Sequence, residues 1–185
     1  MQLANATVFI TGANRGLGLA FARAALAAGA RKVYAAARDP DSIEATRRMM
    51  ETNVYGLLRV GQAFAPVLAR NSGGALLNVL SVSSWISAPV LAGYAVSKAA
   101  AWSVTNGLRN ELRAQGTQVL GMHVGFIDTD LTRGFEAPKL APDLVAERAY
   151  AALEAGASEV AIDEWTQGIK RGLSDAPGIY VDHAR

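Results

Sequence analysis

Thr7-Val8-Phe9-Ile10-Thr11-Gly12-Ala13-Asn14-Arg15-Gly16-Leu17-Gly18 is the stretch on which the fold turns. Thr7 to Ile10 is a short β-branched and aromatic run, and Thr11-Gly12 stops it, so it reads as a strand entering a turn. Residues 17–30 (LGLAFARAALAAGA) are rich in Ala and Leu, which favour helix, and Gly29 supplies a C-terminal stop. Lys32 to Ala37 then reads as a second strand. Together these make a β-α-β unit of about 30 residues, the size such a unit needs. A pyrophosphate is held by backbone N–H groups at a helix N-terminus, and glycines let the backbone approach it closely. A three-glycine pattern alone is often only a turn. The strand before it and the helix after it make Gly12, Asn14, Arg15, Gly16, Leu17 and Gly18 a candidate nucleotide-binding loop.

The end of the second strand carries the next piece of cofactor chemistry. Sites selective for NAD place Asp or Glu about 20 residues after the glycines, where it binds the ribose 2'-hydroxyl, whereas NADP sites use Arg for the 2'-phosphate. Here the sequence runs Ala35-Ala36-Ala37-Arg38, with Arg15 in the turn as a second cation, and this pattern reads as NADP (NADPH). Asp39 is the competing reading, since an acid one position later can still reach a ribose.

Further along, strands and helices go on alternating. After Pro40, Asp41 or Ser42 is placed to cap a helix running through Arg70, with breaks expected near Gly56, Gly61 or Pro66. Ala75 to Ser81 is apolar nearly throughout, as in a strand buried on both faces of a parallel sheet. Tyr94 to Gln115 has helical spacing of apolar residues and ends at Gly116. Thr117 to Val124 predicts a strand, Ala141 to Ala155 a helix with Pro142 in its first turn, and Ser158 to Ile162 a final strand. Nothing legible follows. The alternation defines an α/β fold with a mainly parallel sheet, and the absence of a repeat or linker makes residues 1–185 one expected domain.

Composition narrows the function classes. A chain of 185 residues, 51% hydrophobic, buries roughly 70% of the surface its unfolded form exposes, enough for a core without staples. With no cysteine, disulfides, thiolate zinc sites and a cysteine nucleophile are all excluded, which suits a reducing cytoplasm. MQLANATVFITG lacks the basic region, long apolar run and cleavage site of a signal peptide. Arg23, Arg31 and Lys32 interrupt the Ala-rich region, so no membrane span is expected, and the protein reads as soluble and cytoplasmic. Eighteen basic against sixteen acidic residues, scattered, is too thin a footprint for nucleic acid. Asp128 and Asp130 share a loop without a His or third acid beside them in the sequence, so no metal site is expected.

Tyr94-Ala95-Val96-Ser97-Lys98 places a phenol and an ammonium one turn apart on one helical face. A nearby cation favours the phenolate, giving a group able to exchange a proton with an alcohol or carbonyl oxygen near neutral pH. Ser81, thirteen residues before Tyr94, offers a hydroxyl at the end of a buried strand. With these residues in place the sequence resembles the short-chain dehydrogenase/reductase family. The family's Thr-Gly-x3-Gly-x-Gly turn matches residues 11–18, its Tyr-x3-Lys matches Tyr94 and Lys98, its serine matches Ser81, and its active-site asparagine matches Asn53.

The resemblance implies a Rossmann-type, doubly wound, three-layer α/β/α fold and an NADP-dependent oxidoreductase acting on a carbonyl or alcohol substrate. It assigns Tyr94 as general acid/base, Lys98 to lowering its pKa and binding the nicotinamide ribose, Ser81 to polarising the carbonyl, and Asn53 to a proton relay. The family's Pro-Gly turn is half kept as Val124-Gly125, and Gly125, Ile127 and Thr129 fall where it contacts the cofactor. A homo-dimer or homo-tetramer is implied, pairing through the helices at Asn53 to Arg70 and Tyr94 to Gln115, to which Trp102, Leu108 and Leu112 would add apolar surface.

The departure from the family lies between Arg38 and Asn53, which only fourteen residues separate. The family has a further strand, helix and strand there, ending in an Asn-Asn-Ala-Gly turn, so fewer strands are expected than in the full fold. Either the first strand pairs directly with the Ala75 to Ser81 strand or the sheet has a hole; direct pairing is expected, because a hole would expose strand edges. Two function classes follow: a working carbonyl reductase, or a shortened, weakly active or non-catalytic remnant that binds nucleotide or a partner. Ser83, Ser84 and Ser87 are competing hydroxyls in the loop after Ser81, Trp85 is a candidate pocket wall, and His123 and His183 read as structural and surface residues.

Overall fold

A computed structural model of the protein describes residues 2–13, 15–36, 45–88 and 91–181. Two of the expected cofactor residues, Asn14 and Arg38, lie outside the described residues. The chain divides into two compact units. The first comprises the described residues within Met1–Ser42 together with Phe126–Gly156; the second comprises those within Ile43–Gly125 together with Ala157–Arg185.

In the first unit, β1 (Thr7–Thr11) leads through the glycine turn into α1 (Gly16–Ala27) and then β2 (Lys32–Ala36). The two strands pair in parallel, Thr7 opposite Lys32 and Thr11 opposite Ala36, as a β-α-β crossover requires. The other helix of this unit, α5 (Pro142–Glu154), has Pro142 in its first turn, where the missing N–H is harmless. Ala20, Phe21, Ala22 and Ala25 of α1 are buried, as are Val145, Ala146, Ala149, Tyr150 and Leu153 of α5. The small alanines let the helices approach, and the Phe21 and Tyr150 rings meet edge to face at 5.1 Å. The Tyr150 hydroxyl donates to the Phe21 carbonyl at 2.9 Å, so burying the ring leaves no polar atom unpaired.

In the second unit, β3 (Gly74–Val79), β4 (Thr117–His123) and β5 (Glu159–Ala161) form a parallel sheet with β4 in the centre. Central position explains why Val119, Leu120 and Met122 are at most 2% exposed. Leu57 and Ala65 of α3 (Gly56–Arg70) and Val104, Leu108 and Leu112 of α4 (Ala92–Leu112) pack with Leu76 and Val119 of the sheet. Gly61 is buried against Leu108, whose Cδ1 lies 3.0 Å from where a Cβ would stand, so this glycine serves close helix packing rather than a break.

Parallel strands with flanking helices make this a Rossmann-like α/β fold with fewer strands than the full family pattern. Four details correct or sharpen the sequence expectations. First, β1 pairs with β2 and β3 pairs with β4, in separate sheets, so the expected pairing of β1 with β3 is not made among the described residues. The described chain between β2 and β3 is helical and supplies no strand to join them. Second, the helix runs unbroken through Gly61 and Pro66. Pro66 is exposed, so water can satisfy the carbonyl it leaves free. Third, the break falls at the first of the three expected places: α2 (Ala45–Met50) passes into a π turn at Glu51–Tyr55, and α3 begins at Gly56. Fourth, the tail forms a further helix, α6 (Glu164–Arg171), capped by Asp163, whose carboxylate accepts from Thr166 N at 2.8 Å. Among the described residues no helix is long and apolar enough to cross a membrane.

Candidate active site

The second unit gathers Asn53, Ser81, Tyr94 and Lys98. Ser81 lies just beyond β3 with an extended backbone and caps the short 3-10 turn Val82–Ser84, its Oγ accepting from Ser83 N at 3.1 Å. Tyr94 is in the first turn of α4, and Lys98 stands one turn later. Burial raises the Tyr94 phenol, and a hydrogen bond to Ser81 opposes that by favouring the phenolate. Lys98 is buried and donates through Nζ to the Val79 carbonyl at 2.9 Å, with Nζ 5.7 Å from the centre of the Tyr94 ring. Burial lowers its pKa to about 8, so it still carries its proton at neutral pH but holds it loosely.

Asn53 occupies the middle of the π turn, a distortion that recurs at functional positions because it re-aims side chains and frees backbone groups. Its Nδ2 donates to Ser97 Oγ at 2.9 Å, and that hydroxyl donates onward to the Tyr94 carbonyl at 2.7 Å. Ser97 is fully buried and ties the asparagine to the backbone of the tyrosine. Sequence reading missed it, although its place inside Tyr-x3-Lys on the face of Tyr94 was a usable signal.

The competing residues go elsewhere. Ser83 and Ser84 belong to the 3-10 turn after Ser81. Trp85 stacks on His123 with ring centres 3.9 Å apart, which places it against the core of this unit. His123 is fully buried, with Nδ1 2.9 Å from the Ser81 carbonyl oxygen. Gly125 donates its N–H to Asp163 Oδ2 at 2.9 Å under the Trp165 ring, so the residue that caps α6 also holds this loop. Asp163 is the second residue the sequence reading missed, and its signal was an Asp three residues before Thr166.

The first unit gathers the glycine turn and the loop after β4. Gly12 and Gly16 have positive φ (67° and 52°), which only glycine adopts readily. A Cβ on Gly18 would collide with the Gly12 carbonyl, so α1 seats directly on the turn. Among the described residues nothing lies within 4 Å of a Cβ built on Gly12, and the first turn of α1 carries no acid. Arg15 is exposed at the helix N-cap and Leu17 is half-buried in its first turn. Thr129 approaches Gly16, its Cγ2 3.2 Å from where a Cβ would stand, so the structure brings two of the expected cofactor elements together. Ile127 bridges to Leu140 and its carbonyl accepts from Thr132 Oγ1. Asp130 pairs with Arg133, and among the described residues no group of three or more potential metal ligands is assembled.

A hydroxyl, a phenol and a buried ammonium thus meet at the carboxyl end of a parallel strand on an α/β scaffold. The chain belongs to the short-chain dehydrogenase family, whose model matches residues 39–139, more than half of its length. An uncharacterized oxidoreductase of Staphylococcus aureus (strain USA300) is 32% identical over 108 residues, which is 57% of this chain and 47% of that protein. One from Staphylococcus saprophyticus is 33% identical over 115 residues, 60% and 49% respectively. The chain thus spans about half the length of the curated relatives it matches. Among solved structures, a short-chain dehydrogenase from Burkholderia cenocepacia J2315 in complex with NADP superposes with a TM-score of 0.87 at 32% identity, covering 95% of this chain and 96% of that one. A hydroxysteroid dehydrogenase from Escherichia coli shares the fold, with a TM-score of 0.72 at 20% identity over 88% of this chain and 97% of that one.

Proposed function

We propose that the protein is an oxidoreductase that moves hydride between NADPH and a carbonyl or alcohol substrate, with Tyr94 as general acid/base. The observation that carries this reading is the Ser81–Tyr94–Lys98 cluster, in which a phenol is hydrogen-bonded to a serine and faced by a buried ammonium. In the reductive direction Tyr94 gives its proton to the substrate oxygen while Ser81 holds that oxygen by a hydrogen bond. Lys98 makes the resulting phenolate easier to form, and Asn53, through Ser97, keeps the start of α4 in place. Bound nicotinamide supplies the hydride chemistry itself.

The residues of the turn fit a dinucleotide. Open space at Gly12 among the described residues leaves the backbone accessible to a phosphate, Gly18 brings the N-terminus of α1 close, and the first turn of α1 carries no acid to oppose an anion. Arg15 and Arg38 are the cations proposed for the 2'-phosphate, and Gly125, Ile127 and Thr129 the contacts on the nicotinamide side. The NADP complex of the Burkholderia cenocepacia relative supports the choice of cofactor. A cytoplasmic homo-dimer or homo-tetramer is the proposed working form.

A second reading, a weakly active or non-catalytic remnant of such an enzyme, is favoured by one observation: β1 and β3 lie in separate sheets in a chain that spans about half the length of the curated relatives it matches. Titrating purified protein with NADPH, followed by fluorescence, and assaying turnover decides between them. The first reading expects saturable binding at least ten times tighter for NADPH than for NADH, a preference removed by Arg38→Ala. It also expects Tyr94→Phe to lower turnover roughly 10²- to 10⁴-fold with NADPH affinity unchanged. The second expects turnover only after a strand-helix-strand segment is restored after Asp39.

A further inference from the structure

His123 ends β4, and its imidazole is fully buried. Its Nδ1 lies 2.9 Å from the Ser81 carbonyl oxygen. A carbonyl oxygen only accepts, so the proton of this hydrogen bond sits on Nδ1. The ring has little freedom to turn away. Trp85 stacks on one face at 3.9 Å and 16°, and Trp102 meets it edge-on at 6.4 Å. Nε2 faces Glu159 Oε2 at 3.4 Å without hydrogen-bond geometry, while the Glu159 carboxylate is held by Trp102 Nε1 at 2.9 Å and by Lys170. Burial, reinforced by the charges of Lys170, Lys98 and Arg109 and opposed by the Ser81 carbonyl, keeps the imidazole neutral at pH 7.

The Ser81 carbonyl takes a second donor, Ser84 N at 3.0 Å. Two donors from different elements fix the peptide plane that follows Ser81, and with it the direction in which Oγ leaves the backbone. We propose that His123 is a positioning residue for Ser81: its Nδ1–H, braced by Trp85 and by Trp102, which Glu159 holds in turn, keeps the Ser81 backbone so that the hydroxyl faces Tyr94. The inference rests on the reading of Ser81 and Tyr94 as the groups that handle the substrate oxygen. It adds that the aromatic and acidic cluster behind the serine belongs to the site.

The test uses the whole chain, labelled with ¹⁵N-histidine and with ¹³C at tyrosine Cζ, the Tyr94 signal being identified by its loss in Tyr94→Phe. Nitrogen spectra of the folded parent should show His123 neutral with its proton on Nδ1. His123→Asn keeps an N–H near the Nδ1 position, whereas His123→Gln carries its amide near Nε2. His123→Asn should therefore leave the Tyr94 titration where it is. His123→Gln should shift the Tyr94 phenolate fraction down by roughly three-fold or more at a given pH, because the Ser81 hydrogen bond that favours phenolate is lost. Where turnover is measurable, kcat should fall in His123→Gln and recover in His123→Asn, with the KM for NADPH unmoved in both. A proton on Nε2 in the parent overturns the proposal, as does a Tyr94 titration that His123→Gln leaves unmoved. Failure of the catalytic reading looks different: turnover is absent, or survives Tyr94→Phe, while the tautomer and the Tyr94 titration still decide the role of His123.

Discussion

Lys98 Nζ donates to the carbonyl of Val79 at 2.9 Å, so the ammonium that faces Tyr94 is bonded to the last residue of the strand leading to Ser81. One hydrogen bond thereby joins α4 to the end of β3. A buried ammonium needs such an acceptor, because an unpaired charge in a low-dielectric interior is costly. Burial nevertheless lowers the pKa of this lysine to about 8.

That lowering has a definite sign in stability. Below pH 8 Lys98 is protonated in both folded and unfolded states, and its burial penalty is present in full. Between pH 8 and 10.5 the unfolded chain binds the proton and the folded one does not, so stability rises with pH by up to about 3 kcal/mol. Denaturant unfolding at several pH values should show this rise in the parent relative to Lys98→Met. Parallel curves for the two proteins would contradict it.

His123 acts in the opposite pH range. Its pKa falls from 6.5 to about 4 on folding, chiefly through burial, so the unfolded chain takes up a proton first as pH drops. Stability should decline by about 3 kcal/mol between pH 6.5 and 4 from this residue alone. Thermal melts of the parent and His123→Asn across that window measure the contribution as the difference between their slopes. Equal slopes would mean that the imidazole is not buried in its neutral form.

Gly12 and Gly18 should respond differently to the same added methyl group. At Gly18 a Cβ meets the Gly12 carbonyl, a backbone group that cannot move aside, and Gly18→Ala should destabilise by roughly 1–3 kcal/mol or more. Among the described residues the space around Gly12 is open, so Gly12→Ala is expected to meet chiefly the strain of a positive φ, about 1–2 kcal/mol. Urea midpoints of the two variants compare these effects. NADPH affinity should fall in both, because each alters the turn proposed to hold the phosphates.

Asp163 carries the α6 cap and the Gly125 loop on one carboxylate, through Thr166 N at 2.8 Å, Thr166 Oγ1 at 2.7 Å and Gly125 N at 2.9 Å. Asp163→Asn keeps one oxygen able to accept and should lose less than Asp163→Ala, for which about 1–2 kcal/mol is expected from the cap alone. Hydrogen exchange at Gly125 N–H should accelerate in Asp163→Ala. Unchanged protection there would separate the loop from the cap.

Much of the architecture was legible because it depends on neighbours along the chain. The strand-turn-helix-strand order of residues 7–36 follows from β-branched residues, glycines that permit positive φ, and an Ala-rich run, all local preferences. Tyr94 and Lys98 share a helical face because they are four residues apart, whatever surrounds them. Gly116 in a left-handed conformation closes the 3-10 extension of that helix where its sequence said it would.

What remained was decided by partners distant in sequence. Ser97 became the link between Asn53 and the Tyr94 backbone only because the π turn and α4 lie side by side, a contact across forty-four residues. His123 was readable as a buried histidine, but the group it faces is forty-two residues away. Pro66 and Gly61 carry local signals for a break, and helix packing against Leu108 together with solvent at Pro66 overrode them. Which strands pair could not be read from their composition, since β1 and β3 are both short apolar runs with an edge to offer. Sequence thus determined each element and the spacing of residues within it, because dihedral preferences and helical periodicity act over a few residues. Tertiary structure alone decided strand partnership and the hydrogen-bonded support of Ser81 and Asn53, because a backbone or buried polar group takes whichever donor or acceptor the folded chain brings to it.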